Sequence, residues 1–139
     1  MSEETSSATV ATPATFYTGQ AGNPLPGGAI LRFWLVQGPN TSVVSGHAET
    51  SQAIAPPNGH VVYPHVSGHV YTTGFGPAKL LINFSGETVI SLPPPAIGSW
   101  LSRLAANCVV DRKTGKGMCH WTVNNVQHQA PVVVKIVQA

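Results

Sequence analysis

Punctuation by glycine and proline narrows what this chain can become more than any other feature. Fourteen glycines and twelve prolines interrupt it at short intervals, and the segments between them are rich in Val, Ile, Thr and aromatic residues, which suit a pleated strand better than a helix. Strands are expected near 15–21, 29–37, 42–53, 60–73, 78–85, 87–92, 100–111, 116–125 and 130–138. The intervening NPLPGG, QGPN, APPNG, GFGP, SGE, PPPAIG, RKTGKG and VQHQAP each hold residues that tolerate or impose turn geometry. In SWLSRLAANCVV, Trp100, Leu104 and Cys108 also recur at helical spacing, so a short helix near 97–106 competes there with a strand. Eight or nine successive strands with short connections predict an all-β antiparallel meander that hides its edges by closing as a barrel or folding as a sandwich. A parallel sheet would need crossover helices, and the pattern supplies none.

A length of 139 residues predicts one domain, enough chain to bury roughly two thirds of its unfolded surface. The start, MSEETSSATVATPAT, reads as a disordered tail over residues 1–14, leaving 15–139 as the β domain. It carries acidic residues where a secretory leader would be basic, and no apolar core follows, so the expected location is cytoplasmic. Arg32 and Lys135 break the two longest apolar runs well short of the roughly 20 residues of a membrane helix, and no membrane association is expected. Only 9% of residues are charged, against about a quarter in an average domain. With a net charge of +2, and only Arg112, Lys113 and Lys116 clustered, the chain lacks the basic surface that nucleic acid requires. Cys108 and Cys119 flank a tight reversal and are expected to face each other as free thiols, a disulfide being the alternative.

The tetrapeptide VSGH occurs twice, at Val44–His47 and Val66–His69. Strand alternation puts Ser45, His47, Glu49 and Ser51 on one face of the first copy, opposite Val44, Gly46, Ala48 and Thr50. In the second copy Tyr63, His65, Ser67, His69 and Tyr71 would share a face, opposite Val62, Val66, Gly68 and Val70. A turn centred on Asn58 would set His47 against His69 and Glu49 against Ser67, gathering His47, Glu49, Tyr63, His65, His69 and Tyr71 into a polar patch. His47, His65 and His69 are then the candidate metal ligands, although spacing alone shows no held tautomer and no dry surroundings for a metal. The repetition itself reads as glycine at a close backbone crossing beside a β-branched residue turned to the core.

Trp34 shares its strand face with Ile30, Arg32 and Val36, while Leu31, Phe33 and Leu35 take the other, which makes this strand apolar on both sides. Trp100 and Trp121 are core candidates that would also suit stacking on a flat ligand near a barrel mouth. Catalysis finds little support. Of the five acidic residues, only Glu49 lies inside an expected strand, so no second carboxylate converges with it. No G-x-S-x-G elbow accompanies Ser45 or Ser67, and PLPGGA and GFGPAK precede strands rather than a phosphate-binding helix. No cofactor is implied.

The residues NTSVVSGHAETSQAIAPP and HVSGHVYTTGFGPAKLLINFSG resemble a small bacterial domain family of unknown function. Val44, Ser45, Gly46, Pro56, Pro57, Val66 and Gly68 carry the likeness, which covers about residues 16–90. It implies strands in the C-terminal third, favouring a strand over 100–111. It implies no catalytic or binding residue, and His47, His65 and His69 fall outside its pattern. Composition and motifs together lead to an expected non-enzymatic binding module, with His47, Glu49, Tyr63, His65, His69, Tyr71, Trp100 and Trp121 as candidate contacts. A neutral carbohydrate is the first ligand considered, because charge is scarce while Trp, Tyr, His and Asn are present. The alternatives are a self-associating homo-oligomer pairing through strands such as PVVVKIVQ, and a histidine-based metal or enzyme site using His47, His69 and Glu49.

Overall fold

The computed structural model describes residues 13–22, 28–52, 59–72, 79–92 and 94–138. They form eight strands: β1 (Thr15–Gly22), β2 (Ile30–Gln37), β3 (Val43–Ser51), β4 (His60–Thr72), β5 (Lys79–Ser91), β6 (Ser99–Asp111), β7 (Lys116–Val123) and β8 (Val126–Gln138). Each pairs antiparallel with the next, and β8 returns to β1, closing an up-and-down barrel. Closure settles barrel against sandwich. Within PVVVKIVQ, β8 is laddered to β7 as far as Val133 and to β1 over Val132–Gln138.

Alternation of burial builds the interior. Leu31, Phe33 and Leu35 point inward from β2 while Trp34 points out, and Phe33 meets Phe84 of β5 with ring centroids 4.9 Å apart. On β6 the inward set is Ser102, Leu104, Ala106, Cys108 and Val110, a strict period of two that removes the helical alternative at 97–106. Cys108 and Cys119 are cross-strand partners as expected, both free, both buried, with their sulfur atoms 2.6 Å apart. The neighbouring Cys119 thiol, then burial, push the Cys108 thiol well up, which leaves it a core side chain rather than a nucleophile.

Two expected turns are absent. Ser85, Gly86 and Glu87 stay extended and pair with Ala105, Leu104 and Arg103, so the segments 78–85 and 87–92 are one strand. Gly86 is needed there for closeness: a methyl group would stand 2.6 Å from the His65 carbonyl oxygen. VQHQAP is also strand. Its reversal lies one step earlier, where Asn124 and Asn125 have φ of 52° and 71° between the paired Val123 and Val126, the geometry of a two-residue type I′ turn. The expected turns at 55–58 and 74–77, and the tail at 1–12, lie outside the described residues.

The two VSG copies pair with each other. Val44 faces Gly68, Ser45 faces Ser67 and Gly46 faces Val66, so each core valine sits across from a glycine. A methyl on Gly46 would run into the Trp34 carbonyl oxygen, and one on Gly68 into that of Asn83. The expected register is corrected, by four residues on one side of a bulge and five on the other: His69 lies across from Val43, and Glu49 from Val62. Past Gly46 the ladder slips, with Ala48 opposite Tyr63, so His47 alone faces Pro64 and His65. That is a bulge on β4 at a proline, which has no N–H to give a ladder. It inverts the faces before it: Tyr63 is wholly buried inside the barrel and Val62 is exposed outside.

Candidate ligand cavity at one barrel mouth

The register and the bulge divide the expected polar patch: His47 stays across from His65, His69 lies across from Val43, and Tyr63 crosses to the inside. His47 sits on the outer wall, stacked on Trp34 at 4.7 Å and 13°, while His69 stacks on Tyr71 at 5.6 Å and 10°. His65 is exposed beside Ser67 on the same outer wall. Glu49 is held by Arg32 at 3.4 Å and by His60, which sequence reasoning did not single out, at 3.3 Å. Such surface pairs contribute about 0–1 kcal/mol. Tyr63 leaves the patch for the core. Among the described residues no three His, Cys, Asp or Glu side chains converge as metal ligands would, so the structure does not bring His47, His65 and His69 together.

Trp100 and Trp121 do come together. Both line a cavity of about 360 Å³ at the mouth carrying the β7–β8 turn, walled by Ala29, Val61, Val123 and Val126 and by the polar side chains of Thr50, Ser51, Gln52, Ser102, Asn124 and His128. Strand alternation explains the set. Trp100 and Ser102 continue the inward row of β6, Trp121 that of β7, and His128 that of β8, two residues before buried Ala130. Trp121 and His128 are cross-strand partners, and their rings stack at 5.4 Å and 25°.

A polar chain crosses the cavity floor. Asn124 Nδ2 donates to Ser102 Oγ at 3.1 Å, and Ser102 Oγ shares a 2.8 Å hydrogen bond with the Tyr63 hydroxyl, which also bonds the Thr50 side chain. Burial pushes the Tyr63 hydroxyl up, so it stays protonated. Asn124 is fixed in turn by Arg103, whose backbone N–H donates to Asn124 Oδ1 at 2.9 Å and whose carbonyl accepts from Asn124 N at 3.0 Å. Burial also draws His128 below its ordinary value, favouring the neutral imidazole.

One group is left over. Trp121 is 2% exposed, and its Nε1–H finds no acceptor. A buried donor without a partner costs about 1–3 kcal/mol, so it calls for an explanation. Among the described residues no Lys, Arg, Asp or Glu lines the cavity. A larger hollow, about 780 Å³, lies on the outer wall, but it is lined by Ser85, Glu87, Arg103, Thr122 and Asn125 and resembles ordinary solvated surface.

Sequence reasoning reached Trp100 and Trp121 and missed Ser102, Asn124 and His128. The signal for His128 was its even spacing from Ala130, Val132 and Val134, hidden while VQHQAP was read as a turn. Asn124–Asn125 carried its own signal, since asparagine tolerates positive φ better than other non-glycine residues.

Fold and site together define a closed eight-stranded antiparallel barrel with a charge-free cavity at one mouth. By sequence the chain belongs to the DUF1842 family, a domain of unknown function, whose family model matches residues 15–122. No curated protein matches it. The matched span takes in β1 to β6 and β7 through Thr122.

Proposed function

We propose that this protein is a non-enzymatic binding protein whose barrel mouth takes a small neutral ring-shaped molecule bearing one hydrogen-bond acceptor. The observation that carries this reading is the cavity itself, walled by Trp100 and Trp121 and, among the described residues, by no Lys, Arg, Asp or Glu. Thr50, Ser51 and Gln52 in the wall carry donors from which a ligand carbonyl or ether oxygen would accept. Two tryptophans and four small apolar side chains offer ring contact. The absence of a charged lining residue disfavours an ion, whose desolvation nothing there would offset. A carbohydrate, the first ligand suggested by composition, suits the site less well, because every buried sugar hydroxyl needs its own partner and Ser102 and Asn124 already bond each other.

6-Propionyl-2-dimethylaminonaphthalene, a neutral fluorescent naphthylamine whose ketone oxygen is the acceptor, is a probe of suitable shape. It is expected to bind with one saturable site, and Ala29→Phe, which fills the mouth, is expected to weaken it by about tenfold or more, or about 1.4 kcal/mol. Its anionic sulfonate analogue should bind more weakly to the unaltered protein. Binding that is unaffected by Ala29→Phe, or that prefers the anion, would overturn the reading.

A further inference from the structure

The second half of β5 and the first half of β6 form a ribbon that outruns its neighbours. The β4–β5 ladder ends at Val66 opposite Gly86, whereas β5 and β6 remain paired as far as Ser91 and Ser99. The bulge at Pro64 and His65 turns β4 away at that level, and β7 has already ended at Val123. One edge of β5 therefore meets no strand among the described residues over Glu87–Ser91.

Which backbone groups face that edge follows from ladder parity. Leu92 N–H donates to Gly98 O at 3.0 Å, and hydrogen-bonded pairs alternate with non-bonded ones along an antiparallel ladder. The even residues Thr88 and Ile90 thus bond across to β6, while Glu87, Val89 and Ser91 turn N–H and C=O outward. Arg103 shows the same parity from the β6 side, giving both its backbone groups to Asn124. The β4 edge at this level contains Pro64, which has no donor. The β5 edge over Glu87–Ser91 has no proline, lysine or bulge to protect it.

We propose that a second copy of this chain pairs with this edge, β5 against β5, antiparallel about a twofold axis through Val89. Unpaired, alternating backbone groups select an extended strand as occupant, and the edge is complementary to itself, as an isologous contact must be. Val89 meets Val89, and Glu87 meets Ser91 of the other copy. Each Glu87 carboxylate is already neutralised by Arg103 Nε at 2.7 Å. The two Glu87 stand four residues apart, about 14 Å. Val89 is 65% exposed and its cross-strand neighbour Leu101 is 44% exposed. In the paired state β6, β5 and their two counterparts form one four-stranded sheet between the barrels, and this apolar pair gains cover from the same pair of the other copy.

Val89→Pro is the discriminating variant. It removes an N–H that β5 does not use toward β6, so the ribbon survives and only outward pairing is lost. Sedimentation equilibrium from micromolar to millimolar protein is expected to show a monomer–dimer equilibrium, weakened about tenfold or more in Val89→Pro and retained in Val89→Thr, which keeps the N–H. An unchanged far-ultraviolet circular dichroism spectrum and thermal melt of Val89→Pro would show that the barrel is intact, whatever the fate of the cavity reading. A wild-type protein monomeric throughout that range, or a Val89→Pro variant that dimerises as well as wild type, would overturn the proposal.

Discussion

Two side chains decide the character of the mouth. Trp121 keeps its indole N–H buried without an acceptor, and His128, stacked on it, is held toward its neutral form by burial. The second fact has a pH consequence. Because the folded value of His128 lies below its ordinary value near 6.5, the unfolded chain takes up a proton first as pH falls. The stability tied to the neutral ring is therefore complete above about pH 6.5 and is lost as pH drops through the folded value. Thermal melts at about pH 7.5 and about pH 5 should show a larger loss for the native protein than for His128→Gln. Equal losses would contradict this. Asp111 titrates lower and does not interfere. Backbone N–H groups of Lys113 and Thr114 hold its carboxyl below an ordinary value of 3.8, so its contribution is present above that and disappears only at more acid pH.

At the scale of elements, the β7–β8 hairpin couples turn chemistry to the site. Asn124 supplies positive φ, bonds the Arg103 backbone and donates to Ser102 in the cavity floor. Asn124→Ala should therefore cost about 1–3 kcal/mol in urea unfolding. Asn125→Gly, which relaxes the second positive φ without removing such bonds, should be neutral or stabilising by a few tenths to about 1 kcal/mol. A reversed order would sink the account of the turn. The same elements show how much was legible in the sequence. Strand edges were read from glycine and proline because those residues act locally, and seven of the eight strands begin or end close to where that reading placed them, β5 being read as two. What escaped was non-local. SGE has the residues of a turn, yet Gly86 serves the approach of β4 to β5. Simple alternation put Tyr63 beside His65, yet one extra residue at Pro64 inverts every face before it. That cost the patch Tyr63, and the β3–β4 register separated His47 from His69, while Trp100 and Trp121, read as core candidates suited to a barrel mouth, line the cavity there.

For the whole molecule, closure is what makes the site. Barrels of about eight strands have interiors filled by side chains or just wide enough for one small ligand, and this one does both. Phe33, Phe84, Tyr63 and Leu104 fill the middle. Toward one mouth the inward residues become small or polar, as at Ala29, Thr50 and Ser102, and a cavity remains. The glycines of the VSG pairs let neighbouring backbones approach where a side chain would meet the Trp34 or Asn83 carbonyl oxygen. Where the β4–β5 ladder stops at Gly86, β5 and β6 run on as a ribbon that supplies Trp100 to the cavity on one face and Val89 to the outer surface on the other. Ligand site and proposed dimer edge thus come from one departure from a regular barrel. The most direct test follows the indole N–H resonance of Trp121, assigned by its loss in Trp121→Phe, in proton–nitrogen correlation spectra during titration with cyclohexanone, methyl glucoside and cyclohexanecarboxylate. The account predicts a saturable shift of that resonance with the ketone and a much weaker response to the sugar and the carboxylate. A Trp121 resonance indifferent to the ketone, or moved most by the carboxylate, would contradict it.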